Sequence, residues 1–434
     1  MIMDDNSNVS ACEHLLANPE SDYYWYLNGK GPESFLLCEA CRKDATHKGV
    51  KLNVRRIGLD ELKLINQEGY LDGVSGEVTV QECPVSHLPP VRFIELPGTP
   101  VLTMAARPDR SWLLYSASHE LAIFDPDNGL RKKLMSVSLP EEIDEAWCNR
   151  HLTPRLHCDP SGRFAALVHD YGRYGLVIDL LEKRITMTLD GGDYHPETVP
   201  FSLSFIIHNE RPVIIHRTAW NRLDASDPET GRLLTARGPT TYQSGEEQPA
   251  HYLDYFHGGL YLSPSGTWML DDGWVWSPVG VLAHFEPENW LSGNVWETED
   301  KVRAQNFPLQ REDWDIGISW INDEQFVIQV LLSNKASAKN QVAFLCHISS
   351  DEISPIAGAG GRFFSDGVHL FSANAEGLSV WNIEQGSRAG LIAGFSPTFS
   401  HPRRRELVQI SSKGLLCWEW PEIDISNNVR SERE

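Results

Sequence analysis

Leu156-His157-Cys158-Asp159-Pro160-Ser161-Gly162-Arg163-Phe164-Ala165-Ala166-Leu167-Val168 sets an apolar run, a tight turn and a second apolar run end to end. Proline presets φ for a turn and glycine accepts positive φ, so Asp-Pro-Ser-Gly is hairpin chemistry with a mechanism. The plan returns at Leu260-Tyr261-Leu262-Ser263-Pro264-Ser265-Gly266-Thr267-Trp268-Met269-Leu270. A repeated hairpin points to a repeated fold.

Working outward, seven strand-and-turn units are found, at 103–109, 155–162, 202–210, 259–266, 317–324, 361–367 and 395–402. Each leads into a second apolar strand, at 112–115, 164–168, 213–216, 268–270, 326–330, 368–371 and 407–410. In most units a third strand follows and ends in a turn, as in Leu121-Ala122-Ile123-Phe124-Asp125-Pro126-Asp127-Asn128-Gly129. Unit starts lie 34 to 58 residues apart, straddling the ~40–50 residues of a four-stranded blade. This strand plan, with Val380-Trp381-Asn382 and the Asp-Pro-Asp-Asn-Gly turn, resembles the β-propeller superfamily of WD40 and YVTN repeats over roughly residues 91–421. The Gly-His dipeptide and regular Trp-Asp ending of WD40 repeats are missing. The reading predicts a mainly β chain: a seven-bladed β-propeller, preceded by a small α+β zinc-binding module. The last unit, through Trp420, lacks an outer strand of its own, while 91–96 is a free alternating strand just ahead of the first unit. Pairing the two would remove an exposed edge and close the ring.

Residues 1–10 are polar and read as a flexible start, 11–90 as the zinc module, 91–421 as the propeller and 422–434 as a flexible tail. Four of the eight cysteines fall in the first ninety residues. Cys38-Glu39-Ala40-Cys41 ends the apolar arm that follows a Gly-Lys-Gly-Pro turn, a common way to aim two thiolates into one tetrahedral zinc site. Cys12 and His14 form the obvious second pair; Cys83, His87 or His47 could replace one of them. Four protein ligands leave no position for water, so such a zinc is structural. Cys-x-His, a long spacer and Cys-x-x-Cys resemble a zinc finger of the ubiquitin-specific-protease type, which implies recognition of a ubiquitin-like protein or peptide terminus. A strand at 51–55, a helix at about 59–67 and a strand at 77–80 complete the expected module.

Composition narrows the function classes. The 434-residue chain is 41% hydrophobic and 23% charged, with a net charge of −22. That excess of carboxylates disfavours nucleic acid and anionic membrane surfaces as partners. The start, Met1-Ile2-Met3-Asp4-Asp5-Asn6, has neither a basic nor an apolar leader character, and no run nears 18 apolar residues. A cytoplasmic chain with reduced thiols is the expectation.

Catalytic signatures are absent: there is no Gly-x-Ser-x-Gly, no His-Glu-x-x-His and no phosphate loop, and Gly358-Ala359-Gly360-Gly361 reads as a turn. His169, Asp170, Arg173, His216, Arg217, Asp271 and Asp272 lie at strand ends, where a funnel site would draw its side chains, although each also reads as a solvated loop or hydrogen-bonded core residue. Seven of the 14 tryptophans lie between Trp268 and Trp320, around an acidic insertion at about 285–313. Tryptophan buries much area at little entropic cost, so Trp274, Trp276, Trp290 and Trp296 are candidate partner-binding residues; Trp268 and Trp320 read as packing between blades. The leading expectation is a non-catalytic protein-interaction scaffold. The alternative is a hydrolase or lyase with its site in the central funnel.

Overall fold

The computed structural model of the chain describes residues 80–84, 88–96, 98–145, 150–242, 245–276, 279–304, 314–331, 341–350 and 353–420, together with the backbone of four short strands nearer its start. Those four form one sheet, in the order Val9–Ala11, Ser34–Cys38, Tyr23–Leu27, Val54–Ile57. Tyr23–Leu27 and Ser34–Cys38 pair antiparallel. The strand expected at 51–55 is found at Val54–Ile57. The helix expected at about 59–67, the strand at 77–80 apart from its last residue, and both chain ends lie outside the described residues.

The remaining strands make seven antiparallel sheets in chain order, the blades of a β-propeller. Blade 1 begins with Val101–Ala106, blade 2 with Thr153–Cys158, blade 3 with Leu203–His208 and blade 4 with Phe256–Leu262. Blades 5, 6 and 7 begin with Ile318–Trp320, Arg362–Ser365 and Phe399–His401. The first strands of blades 1 to 6 lie beside one another in order, and that of blade 7 lies beside that of blade 1.

The hairpin turns explain the strand plan. In blade 2, Asp159 accepts hydrogen bonds from the backbone N–H of Ser161 (2.9 Å) and Phe164 (2.7 Å), while Gly162 takes φ 77°. In blade 4, Gly266 takes φ 83° and the Ser263 hydroxyl oxygen accepts from Trp268 N–H at 3.1 Å. Successive strand residues point to opposite sheet faces, and each blade is packed between two neighbours. Phe164, Ala166 and Val168 therefore join a core with blade 3, while Ala165 and Leu167 join a core with blade 1. Burial on both faces is why Phe164 to Val168 is continuously apolar rather than alternating.

Seven such cores occur, one at each seam between blades. The seam between blades 7 and 1 holds Met104, Trp112, Leu114, Phe124, Val408, Leu415 and Cys417. Trp268 and Trp320 lie in the seam between blades 4 and 5. Blade 7 takes its fourth strand, Arg92–Glu95, from the segment preceding blade 1; it pairs antiparallel with Gly414–Glu419. Residues 80–84 and 88–90 already pack on the ring. Cys83 N–H donates to Arg388 C=O at 2.9 Å, Val80 and Leu88 enter the seams flanking blade 6, and Trp418 Nε1–H donates to Pro89 C=O at 3.0 Å.

Among the described residues blades 3 and 4 have three strands each. The insertion beside them, read from its acidity as a polar loop, contains two helices, Pro287–Ser292 and Glu297–Ala304. Proline opening one helix and Glu297, Glu299 and Asp300 in the first turn of the other suit helix starts. Among the described residues no helix is long and apolar enough to cross a membrane.

Candidate functional site

Antiparallel blades put the starts of the first strands and the ends of the second strands on one face of the ring. On that face the side chains from blades 2 to 5 converge in two adjoining groups, one charged and one aromatic.

The charged group contains three of the residues singled out at strand ends. Asp170 pairs with Arg155 at 3.0 Å and accepts from Phe201 N–H at 3.0 Å. Burial pushes its carboxyl up to about 6, with Asp315 adding to the rise and Arg155 opposing it. Tyr171 donates its hydroxyl to Asp315, whose own N–H donates to Asp272 at 3.1 Å. Burial, then the Asp315 charge, raises the Tyr171 phenol. Arg217 is buried over the Phe201 ring and donates to Gly172 C=O at 2.8 Å; desolvation lowers its guanidinium to about 10. The other named residues hold structural pairs: His169 with Glu142 (2.8 Å), Arg173 with Asp190 (2.6 Å) and His216 with Ser226 (3.1 Å). His257 and Asp271, both without solvent exposure, meet at 2.6 Å.

Beside this network lies an aromatic patch assembled from four separate loops. Tyr194 and His195 come from the connection of blades 2 and 3, Trp220 from a turn of blade 3, Tyr242 and Tyr252 from the connection of blades 3 and 4, and Trp276 from the end of a blade 4 strand. Ring centroids of Tyr194 and Trp220 are 5.2 Å apart, His195 and Trp276 5.2 Å, and Tyr242 and Tyr252 5.1 Å. Beneath them Phe256, Trp274 and Trp314 form a buried floor, with Phe256 and Trp274 rings 5.0 Å apart. Trp314 is fixed there by donating Nε1–H to Thr198 C=O at 2.7 Å, with the Arg150 guanidinium 4.5 Å over its ring. Tyr194 and Trp276 each remain 46% exposed and Tyr242 42%, a clustering that a folded surface does not require for its own stability. Asp193, Glu246, Glu247 and Asp254, all exposed, stand in the same loops. Burial and then the Asp254 charge raise the Tyr252 phenol.

Of the four tryptophans expected to meet a partner, Trp276 belongs to this patch and Trp274 to its floor. Trp274 and Trp290 are fully buried. Trp290 packs in the seam of blades 3 and 4 and donates Nε1–H to Val295 C=O at 3.0 Å. Trp296 is half-buried, stacked on His251 with ring centroids 3.9 Å apart. Arg237 pins this helical insertion to blade 3: it pairs with Asp224 at 2.6 Å and Glu299 at 2.5 Å, all three side chains being buried. Tyr194, Trp220, Tyr242 and Tyr252 went unread because each is an isolated aromatic in a loop; only the blade order brings them together.

On the opposite face a cleft of about 960 Å³ lies among the first turns of blades 4 to 7, lined in part by Trp320, Asp366, His369 and Trp420. The expected zinc ligands Cys12, His14 and Cys41, and the substitutes His47 and His87, lie outside the described residues; Cys38 ends its strand, and Cys83 lies along the edge of blade 6. Among the described residues no group of three or more His, Cys, Asp or Glu is placed to hold a metal ion.

No protein-family model matches the chain, and no curated protein matches it. Among solved structures it is similar to a chain in the crystal structure of a mitotic checkpoint complex, at 11% identity and a TM-score of 0.48, covering 79% of this chain and 98% of that one. It is also similar to a chain of Kuenenia stuttgartiensis hydrazine synthase, at 9% identity and a TM-score of 0.49, covering 76% and 98%. The assignment as a seven-bladed propeller rests on the strand pairing and the seven seams of this chain itself.

Proposed function

We propose that the chain is a non-catalytic protein-interaction scaffold, in which the ring holds loops of several blades rigid and thereby lowers the ordering cost of binding a protein partner. The observation that carries this reading is the gathering of exposed Tyr194, Tyr242 and Trp276 from loops of blades 2 to 4 over a buried aromatic floor. Tyrosine and tryptophan are the residues whose removal most often costs a protein interface its affinity. A Tyr194→Ala/Trp276→Ala double variant should lose its partners in quantitative affinity purification while its melting temperature stays near that of the parent. Retention of every partner would sink the reading. A cytoplasmic location and the absence of nucleic-acid and membrane partners belong to this reading, as does closure of the ring by the strand Arg92–Glu95.

Structural zinc belongs to it too, held by Cys12, His14, Cys38 and Cys41. Three thiolates and an imidazole suit a closed tetrahedral zinc site, and the antiparallel strand pair that ends at Cys38 supports the placement of the Cys-x-x-Cys pair. The purified chain should carry one equivalent of zinc, lost in Cys38→Ser/Cys41→Ser without change in the propeller's own unfolding transition. Zinc retained by that variant would remove the assignment.

A second reading, a hydrolase or lyase working at the mouth of the ring, is favoured by one observation: Asp170, raised to about 6, lies in a network with Tyr171, Asp272 and Asp315. A carboxyl of that acidity suits general acid and base chemistry near neutral pH. Any hydrolytic or lyase turnover found for the chain should collapse in Asp170→Asn; turnover that survives would place it elsewhere.

A further inference from the structure

The aromatic patch has an electrostatic frame that narrows the chemistry of what it binds. Asp193 adjoins Tyr194 in sequence, Asp254 acts on the Tyr252 hydroxyl, and Glu247 lies in the loop that joins Tyr242 to Tyr252. Two described cations near them are already engaged. Arg173, which feels the Asp193 charge, is held by Asp190 at 2.6 and 2.8 Å, and Arg222 by Asp224 at 2.8 Å. The exposed rings are thus bordered by carboxylates on a chain whose net charge is −22.

Exposed aromatic faces attract cations through the ring quadrupole, the more so when desolvated. Lysine and arginine add apolar stems that can lie along a ring while the charged head reaches a carboxylate. A nucleic acid or an anionic bilayer would meet repulsion here, and so would a second copy of this chain.

We infer that the surface of Tyr194, Tyr242 and Trp276 takes a Lys- or Arg-bearing segment of a protein partner, its side-chain stems over the rings and its charges toward Asp193, Glu247 and Asp254. The inference rests on the scaffold reading and deepens it by stating the chemistry of the partner.

The test uses the full chain and three fluorescent probe peptides of equal length in an anisotropy titration. One repeats Arg-Leu-Gly, the second replaces each arginine by citrulline, which keeps the shape and removes the charge, and the third replaces it by glutamate. The arginine probe should bind at least about tenfold more tightly than the citrulline probe, and the glutamate probe should not bind. Affinity for the arginine probe should fall about tenfold or more in both Tyr194→Ala/Trp276→Ala and Asp193→Lys/Asp254→Lys. A Val368→Ala control on the opposite face should leave it unchanged. Equal binding of the citrulline probe overturns the inference, because the carboxylates would then be idle. Arginine binding undiminished in both double variants also overturns it, as diffuse attraction to an acidic chain. If native partners depend on the rings but the arginine probe shows no preference, the scaffold reading stands and this inference falls. If the probe binds at the patch while native partners survive its loss, the site stands and the scaffold reading falls.

Discussion

Asp159 is almost wholly buried and still well served, because the backbone N–H groups of Ser161 and Phe164 and the Ser161 hydroxyl all donate to its carboxylate. Its neighbour Ser161 is therefore occupied in holding a turn, and that role was legible from the Pro and Gly around it. Asp170 is the contrasting case, a carboxylate that burial makes harder to ionise. Its acidity in the unfolded chain is the ordinary value of about 4, so between pH 4 and 6 the folded state binds more protons than the unfolded state. The stability this contributes is present at low pH and is lost as pH rises through about 6. An Asn cannot ionise. Relative to Asp170→Asn, the parent should lose about 2 kcal/mol of unfolding free energy from pH 4 to pH 7, measured by urea denaturation at each pH; parallel profiles would show that Asp170 titrates normally. Nothing in the sequence signals this, since the partners Arg155, Phe201 and Asp315 come from three blades.

Among elements, the helical insertion shows how local pattern and tertiary context divide the information. Its helix-start signals are readable, whereas the destination of its tryptophans is set by tertiary packing, the second helix lying against Val279–Phe285 of blade 4. Trp290 fills a seam, and Arg237 holds the second helix through Glu299 while anchoring on Asp224. Burial alone would raise Asp224; hydrogen bonds from Arg222 and Thr218 and the Arg237 charge hold it below the usual carboxylate range. Removing Arg237 leaves the buried Glu299 without its cation, while Asp224 keeps Arg222; stranding a buried charge in this way costs about 3–5 kcal/mol. Arg237→Ala should therefore lower the denaturation midpoint sharply and expose the helix Glu297–Ala304 to hydrogen exchange; a loss below about 1 kcal/mol would mean that the pair is solvent-screened.

At the scale of the whole molecule, the number of blades was legible because the hairpin recurs seven times and each second strand is apolar on both faces. The aromatic patch was not, because a ring brings together loops that are far apart in the chain. Each blade shares both of its faces with neighbours, so the seven seams should fail together. Trp112→Ala, in the seam of blades 7 and 1, and Trp381→Ala, in the seam of blades 5 and 6, should each cost about 3–5 kcal/mol. Both should shift one common unfolding transition seen by calorimetry and by tryptophan fluorescence; separate transitions would show blades melting independently. The strand Arg92–Glu95 has a mechanical consequence of its own. It runs antiparallel to Gly414–Glu419, with Arg92 opposite Cys417 and Glu95 opposite Gly414, so the two chain segments leave the pair from the same end. A pull on them peels the ladder one hydrogen bond at a time instead of shearing it as a block, once the Glu82 to Arg388 ion pair and the Leu88 contact have yielded. A ring with an apolar core at every seam should thus open at a lower force when pulled between these two segments than when a blade ladder is sheared lengthwise.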